Sequence, residues 1–132
     1  MKFSIESKQG HARAGSLTIN NKTIDTPAFM TIGTYGSVKT MDTYDLKKCN
    51  VEIILSNAFH LMLRPGTDLI EKVGGLHQLM NWDGLILTDS GGYQVFSLGK
   101  DVKISKKGAE FRSPFNGDKV FMSPEISIDV QT

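Results

Sequence analysis

The fold is decided by residues 85–98, which read LILTDSGGYQVFSL. The apolar run LIL at 85–87 predicts a buried strand, and this strand ends at the carboxylate of Asp89. A glycine turn, SGG at 90–92, follows, and the aromatic side chain of Tyr93 comes directly behind it. A strand that delivers an acid to a glycine turn, with an aromatic ring close by, is typical of a pocket for a flat ligand.

Each residue of this motif suits such a ligand chemically. Asp89 lies where α/β enzymes place working groups, and a carboxylate there can accept a ligand N–H or act as a general acid or base. Gly91 and Gly92 allow the backbone to approach a planar ligand, and Tyr93 offers a face for stacking a base, worth ~1–3 kcal/mol. The alternative is an Asp89-Ser90 turn that caps the next helix, with Tyr93 in the core. The pattern leaves both open.

The segments before the motif alternate between strand and helix. A helix is predicted over 43–48 with Asp42 as its cap, and a buried strand over 51–55. A second helix is predicted over 67–73, which precedes the strand at 85–88. This alternation favours an α/β fold with a parallel sheet.

The two flanks of this region are β-rich. In residues 1–31, Asn20-Asn21 predicts the turn of a hairpin. Beyond the motif, segments 102–104 and 109–112 predict a second hairpin, which 115–122 can extend.

Three polar residues follow the earlier strands and are candidates for the same rim. Asn57 could bind a sugar hydroxyl or cap a helix. His60 could be a base, an interface residue or a half-buried histidine with a structural partner. Lys39 could meet a phosphate or simply face water.

Composition narrows the class of protein. The 132 residues are 39% hydrophobic and 22% charged, as in globular domains, and the net charge of +1 excludes a chain-wide basic signature for nucleic acid. A local basic cluster follows the motif, for which a solvated surface is the commoner explanation and a nucleic-acid patch the sharper one. Its members are Lys100, Lys103, Lys106, Lys107 and Arg112.

Cysteine usage and the first residues predict a cytoplasmic protein. Cys49 is the single cysteine, so no internal disulfide forms and a reducing compartment is expected. His11, His60 and His77 are too widely spaced to predict a zinc site. The first ten residues are too polar for a signal peptide, and no apolar run approaches a membrane span.

Four segments together resemble the N-terminal third of the bacterial queuine (tRNA-guanine) tRNA-ribosyltransferase family. They are TPAFMTIGTYGSVK at 26–39, NAFHLMLRPG at 57–66, GLHQLMNWDGLILTDSGGYQVFSL at 75–98 and FRSPFNGDKVFMSPEISIDVQ at 111–131. The resemblance implies the first part of an irregular (β/α)8 TIM barrel preceded by a small antiparallel sheet. On this view residues 1–31 are the β-rich segment, and 32–132 are the first βα units with a β-hairpin insertion, all within one partial catalytic domain.

The resemblance also implies a reaction. The family exchanges guanine at the wobble position of tRNAs with GUN anticodons, and bacterial members insert 7-aminomethyl-7-deazaguanine, a queuine precursor, in queuosine biosynthesis. A carboxylate attacks the ribose C1′, a covalent tRNA–enzyme intermediate forms, and the deprotonated incoming base displaces the enzyme. The family acts as a homodimer and carries a zinc site in a late subdomain.

Carried onto this chain, the resemblance assigns the following roles. Asp89 matches the proton acceptor, and the substrate-binding stretch continues through Ser90, Gly91, Gly92 and Tyr93. Pocket-lining positions match Ile32, Leu55 and Asn57. The homodimer contact matches 33–39 with the following helix, together with the region of His60.

The resemblance implies that the family's nucleophilic aspartate and all its zinc ligands lie beyond residue 132. Residues 1–132 are therefore expected to bind no metal. A helix start at Ser123-Pro124-Glu125, with Thr132 soon after, also predicts a fragment. The alternatives are a truncated, non-catalytic tRNA-binding or dimerising module and an unrelated α/β enzyme for a flat ligand.

Overall fold

The computed structural model describes residues 1–132. Its strands are β1 (Lys2–Gln9), β2 (Ala12–Ile19), β3 (Lys22–Thr26), β4 (Thr31–Ile32), β5 (Ile53–Asn57), β6 (Leu85–Asp89), β7 (Lys100–Ser105), β8 (Gly108–Arg112) and β9 (Lys119–Met122). Its helices are α1 (Thr43–Lys48), α2 (Ala58–Leu63), α3 (Thr67–Lys72), α4 (Leu76–Met80), α5 (Gly92–Leu98) and α6 (Pro124–Asp129). The strands form three sheets of three, and the predicted α/β class is confirmed.

The first sheet is antiparallel, in the order β1-β2-β3. Asn20 and Asn21 connect β2 to β3 with φ of 46° and 65°, the left-handed conformation that a two-residue hairpin turn requires. The predicted hairpin is therefore confirmed. The β-rich segment is shorter than the expected 1–31, because this sheet ends at Thr26 and Thr31 already belongs to the next one.

The second sheet is parallel, and its strands follow the chain order β4-β5-β6. One face carries Ile54, which packs with Leu46 of α1 and with Met80 and Trp82. On the other face, Ile53 and Leu85 pack against Ile24 of the antiparallel sheet. The antiparallel sheet thus covers the amino end of that face, and the candidate site lies at its carboxyl end.

Two predictions in this region need correction. The strand predicted at 51–55 is β5, at Ile53–Asn57, where the ladder with β6 begins at Ile53 opposite Leu85. Helix α2 (Ala58–Leu63) was not predicted, because it starts directly at the end of β5 and its apolar sequence continues the strand's pattern. By contrast, α1 has the predicted bounds, and the Asp42 carboxylate accepts its capping bond from Asp45 N at 2.8 Å.

The third sheet is antiparallel, in the order β7-β8-β9, and lies between α5 and α6. The predicted hairpin over 102–104 and 109–112 is formed by β7 and β8, and β9 extends it within the segment predicted at 115–122. Phe111 and Met122 anchor it to Phe59 of α2 and Val95 of α5. Because α5 follows the site directly, this sheet is fixed beside the site.

Helix α6 is tied to the turn after β6. It starts as predicted, with Ser123 capping Ile126 N at 3.2 Å. The Ser127 hydroxyl donates to the Ser90 carbonyl at 2.8 Å, and Gln131 accepts a bond from Thr88 at 3.0 Å. None of the helices is both long and apolar enough to cross a membrane.

Candidate functional site

The register of the parallel sheet brings Asn57 and Asp89 together. These two residues are direct partners at the carboxyl ends of β5 and β6. The Asn57 amide donates to Asp89 Oδ2 at 2.6 Å, and the Asn57 side chain is buried. Two predicted site residues from distant parts of the chain therefore form one cluster at the rim of the sheet.

The Asp89 carboxylate accepts four hydrogen bonds from the protein. Oδ2 receives the amides of Asn57 and Gln94, the latter at 2.9 Å, and Oδ1 receives the backbone N–H groups of Ala58 and Gly91, both at 3.2 Å. An ionised carboxylate is an acceptor only, which suits this set of donors. The acid is thus held in one orientation at a half-buried position.

Gly91 is required by the backbone of the turn. Its φ is +71°, and a Cβ there would lie 2.8 Å from Phe59 N and 2.9 Å from Phe59 Cβ. Both the left-handed conformation and the close approach of α2 exclude a side chain. Gly92 differs, because a Cβ there would meet only the Ser90 hydroxyl at 3.6 Å.

Tyr93 is 77% exposed on the first turn of α5. The sequence alternative that placed Tyr93 in the core is therefore wrong, although Asp89 does bond the turn that precedes α5. Ser90 and Gly92 are also exposed beside Tyr93. An aromatic ring and open backbone thus lie next to a fixed carboxylate.

An apolar surface continues from this rim down the same face of the sheet. The register places Ile32, Leu55 and Leu87 side by side across the three parallel strands. Leu55 is half-buried, and Ile32 is 59% exposed. The face that carries Asn57 and Asp89 is therefore open and apolar below its polar rim.

His60 lies close enough for the negative charge of Asp89 to affect its pKa, but its ring packs against aromatic side chains. It packs edge-on against Tyr35 at 4.9 Å and Phe59 at 5.2 Å between ring centroids. Burial lowers the pKa of His60, and the negative charge of Asp89 opposes that shift. Nδ1 is buried without a hydrogen-bond partner, so a neutral imidazole is favoured.

Gln94 is a site residue that the sequence analysis missed. It lies on the first turn of α5 and reaches back to Asp89. A glutamine at the third position of a helix commonly accepts a bond from the N-cap backbone N–H, whereas Gln94 donates its amide to a carboxylate five residues earlier, so no local sequence signal identified this contact. Lys39, a candidate for phosphate contact, is exposed, and the structure gives it no side-chain partner.

The side chains present do not assemble a metal site. No three histidine, cysteine, aspartate or glutamate side chains gather closely enough to hold an ion. Cys49 is exposed at the end of α1.

Comparison with known proteins places the chain in a family. The family model described as Queuine tRNA-ribosyltransferase matches residues 7–132. The chain is 55% identical to the queuine tRNA-ribosyltransferase of Herminiimonas arsenicoxydans over 99% of its own length and 35% of that protein. It is 56% identical to the Hydrogenovibrio crunogenus protein of that name, again over 99% and 35%, and 52% identical to one from Neisseria meningitidis, over 100% and 36%.

The chain spans about a third of the length of these curated relatives. The family match covers all but the first six residues, and the Asp89 cluster lies within the matched range. The chain therefore belongs to the queuine tRNA-ribosyltransferase family.

Proposed function

We propose that the complete gene product is a tRNA-guanine transglycosylase, a pentosyltransferase, and that residues 1–132 supply the base-binding side of its active site. One observation carries this proposal: a fixed carboxylate, Asp89, shares a sheet rim with open backbone at Gly92 and an exposed aromatic ring at Tyr93. The names of the relatives support tRNA as the substrate class.

The proposed reaction exchanges guanine at the wobble position of GUN-anticodon tRNAs for 7-aminomethyl-7-deazaguanine. A carboxylate outside residues 1–132 forms a bond to the ribose C1′ as the bond from C1′ to guanine breaks. The incoming base then gives its ring proton to Asp89, and its ring nitrogen bonds C1′ as the bond from C1′ to the enzyme's carboxylate breaks. The released guanine takes up the proton from Asp89, so both carboxylates end the exchange ionised. Asp89 thus acts as the proton acceptor and orients the base through its N–H groups.

The hydrogen bonds of Asp89 indicate how a base would enter. Four protein donors already occupy the carboxylate, so a ligand N–H must replace one of them. The backbone donors at Ala58 and Gly91 are fixed by the elements around them. The side-chain amides of Asn57 and Gln94 can rotate away, and we assign the exchange to one of these two.

The parallel sheet fits the first three strands of a (β/α)8 barrel. Its strands lie in chain order, as in a barrel, and helices cover one face. The other face, with Ile32 59% exposed and Leu55 half-buried, would become the barrel interior when later strands close it. Active sites of such barrels lie at the carboxyl ends of the strands, where Asn57 and Asp89 are found.

A homodimer is part of the proposal, through the region of 33–39 and His60. Tyr35 and Phe115 leave an exposed aromatic surface there, with ring centroids 6.3 Å apart. Residues 1–132 offer no fitting set of donors for a zinc centre.

The proposal is tested with Asp89→Asn in the complete gene product. We expect incorporation of radiolabelled guanine into GUN-anticodon tRNA to be nearly abolished, while tRNA binding in a filter assay persists. Asp25→Asn, on an exposed position of β3, removes the same charge and is the matched control. Near-normal exchange by Asp89→Asn would remove Asp89 from the mechanism.

The same assay separates the alternative function. A wild-type gene product that binds tRNA but exchanges no base would favour a non-catalytic tRNA-binding or dimerising module. For the isolated 132-residue chain we expect no exchange, because the attacking carboxylate is expected elsewhere.

A further inference from the structure

The outer face of the β7–β9 sheet carries a row of three cations. The register pairs Lys100 with Arg112 and Arg112 with Lys119, so the three side chains lie side by side across the strands. We refer to these three residues as the basic row. All three are exposed, whereas Phe111 and Met122 on the opposite face are buried, so the row faces away from the core.

Charge is concentrated on this part of the chain. Residues 100–122 contain six lysines and arginines against three acids, a net charge of +3. The rest of the chain contains nine lysines and arginines against eleven acids, a net charge of −2. The overall charge of +1 is therefore the sum of a basic sheet and an acidic remainder.

Most of this positive charge has no partner within the protein. Arg112 alone forms an ion pair, from Nε to Asp101 Oδ2 at 3.3 Å, and its Nη1 donates to the Gly117 carbonyl at 3.0 Å. These bonds fix the guanidinium at the centre of the row. Lys100, Lys119 and the neighbouring Lys103 form no ion pair, although Glu110 lies on the same face.

The shape and position of this face suit an extended anion. Neighbouring strands lie ~4.8 Å apart, so the three cations span ~10 Å, a distance that successive phosphates of one nucleic-acid strand can follow. Arg112 and Lys119 line a concavity of about 420 Å³ together with Lys103 and two acids, Asp101 and Glu110. The sheet also packs on Val95 of α5, the helix that carries Tyr93.

We infer that the basic row binds the phosphate backbone of tRNA beside the base site. The identity of the nucleic acid rests on the proposed function, whereas the surface itself rests on register and charge. Phosphate contacts position a nucleic acid without reading its sequence. The basic row therefore contributes to affinity for any tRNA, and the choice of anticodon belongs to the base site.

The test measures tRNA affinity against salt concentration in the complete gene product. For K100Q/R112Q/K119Q we expect weaker binding and a slope of log K against log[salt] that is shallower by about 2, because each phosphate contact contributes roughly 0.7 for a single strand. The matched control is K2Q/K8Q/R13Q, which removes the same charge from exposed positions of β1 and β2. The control slope should stay at the wild-type value.

A second variant guards against a folding effect at Arg112. K100Q/K103Q/K119Q removes only lysines without ion-pair partners and should reduce the slope similarly. A wild-type slope in both variants, or an equal change in the control, would overturn the inference. So would a change confined to GUN-anticodon tRNAs, since that outcome indicates base contacts.

Measuring the rate of guanine exchange at saturating tRNA distinguishes a failure of this inference from a failure of the proposed function. We expect the variants to retain the wild-type maximal rate. If the wild-type protein exchanges no base yet shows the expected slope change, the proposed function fails and the inference stands. If exchange is normal and the slope does not move, the inference alone fails.

Discussion

Gly91→Ala is the sharpest test of the turn that presents Asp89. In the structure Gly91 has a φ of +71°, and an added Cβ would lie 2.8 Å from Phe59 N, 2.9 Å from Phe59 Cβ and 3.1 Å from Met122 Cε. Two of these atoms belong to the buried start of α2 and cannot move aside like the end of a flexible side chain. The substitution must therefore displace the turn.

The expected loss of stability follows from two separate costs. A left-handed conformation costs a residue with a Cβ about 1–2 kcal/mol. Forcing a methyl group into the packed contact with Phe59 costs about 1–3 kcal/mol more. The sum of about 2–5 kcal/mol is a large part of the 5–15 kcal/mol by which a typical domain is stable.

Gly92→Ala is the matched control, one residue away. Its Cβ would meet only the Ser90 hydroxyl at 3.6 Å, and its φ is not in the left-handed region. Because Gly92 begins α5, alanine should be neutral or stabilise the protein by up to about 1 kcal/mol.

Urea unfolding of the complete gene product, followed by circular dichroism, measures both variants. Equal unfolding free energies for Gly91→Ala and Gly92→Ala would refute the geometry of the turn. The proposed base site makes a second distinction, because Gly92→Ala should fold normally and yet weaken guanine binding through its added methyl group.

Two further outcomes are expected. Asn57→Ala removes the 2.6 Å bond to Asp89 Oδ2 and should lower the unfolding free energy by about 1.5–3 kcal/mol in urea titrations, more than Gln94→Ala, whose side chain is less buried. The NMR signal of labelled His60, identified by its loss in His60→Gln, should titrate below the ordinary value of 6.5, because burial lowers its pKa. Since the unfolded chain then binds more protons below pH 6.5, His60 should reduce stability as the pH falls through that value. His60→Gln should lessen this loss.

Local signals predicted the parts of the fold that local chemistry decides. Asp42 specified the start of α1 because its carboxylate bonds a backbone N–H three residues on. Asn20 and Asn21 specified the β2–β3 hairpin because both tolerate the left-handed conformation. In each case the residues that make the structure are neighbours in the chain, so the sequence pattern contains the whole interaction.

The candidate site was only partly predictable, because two of the four donors to Asp89, Asn57 and Ala58, lie about thirty positions away. Asn57 appeared in the sequence either as a helix cap or as a sugar-binding amide. In the structure it precedes α2 without capping it, and its amide bonds Asp89 instead. That choice depends on the register that sets β5 beside β6, which no local pattern encodes.

Strand pairing in the β7–β9 sheet likewise explains why the sequence alone could not distinguish the basic row from a solvated surface. Lys100, Arg112 and Lys119 are spaced irregularly along the chain, and Lys106 and Lys107 between them lie in a turn. Only the pairing of β7, β8 and β9 aligns Lys100, Arg112 and Lys119 on one face. Sheet register thus resolves two sequence features that were ambiguous. The Asn57 amide fixes the Asp89 carboxylate, and three basic residues align on one exposed face.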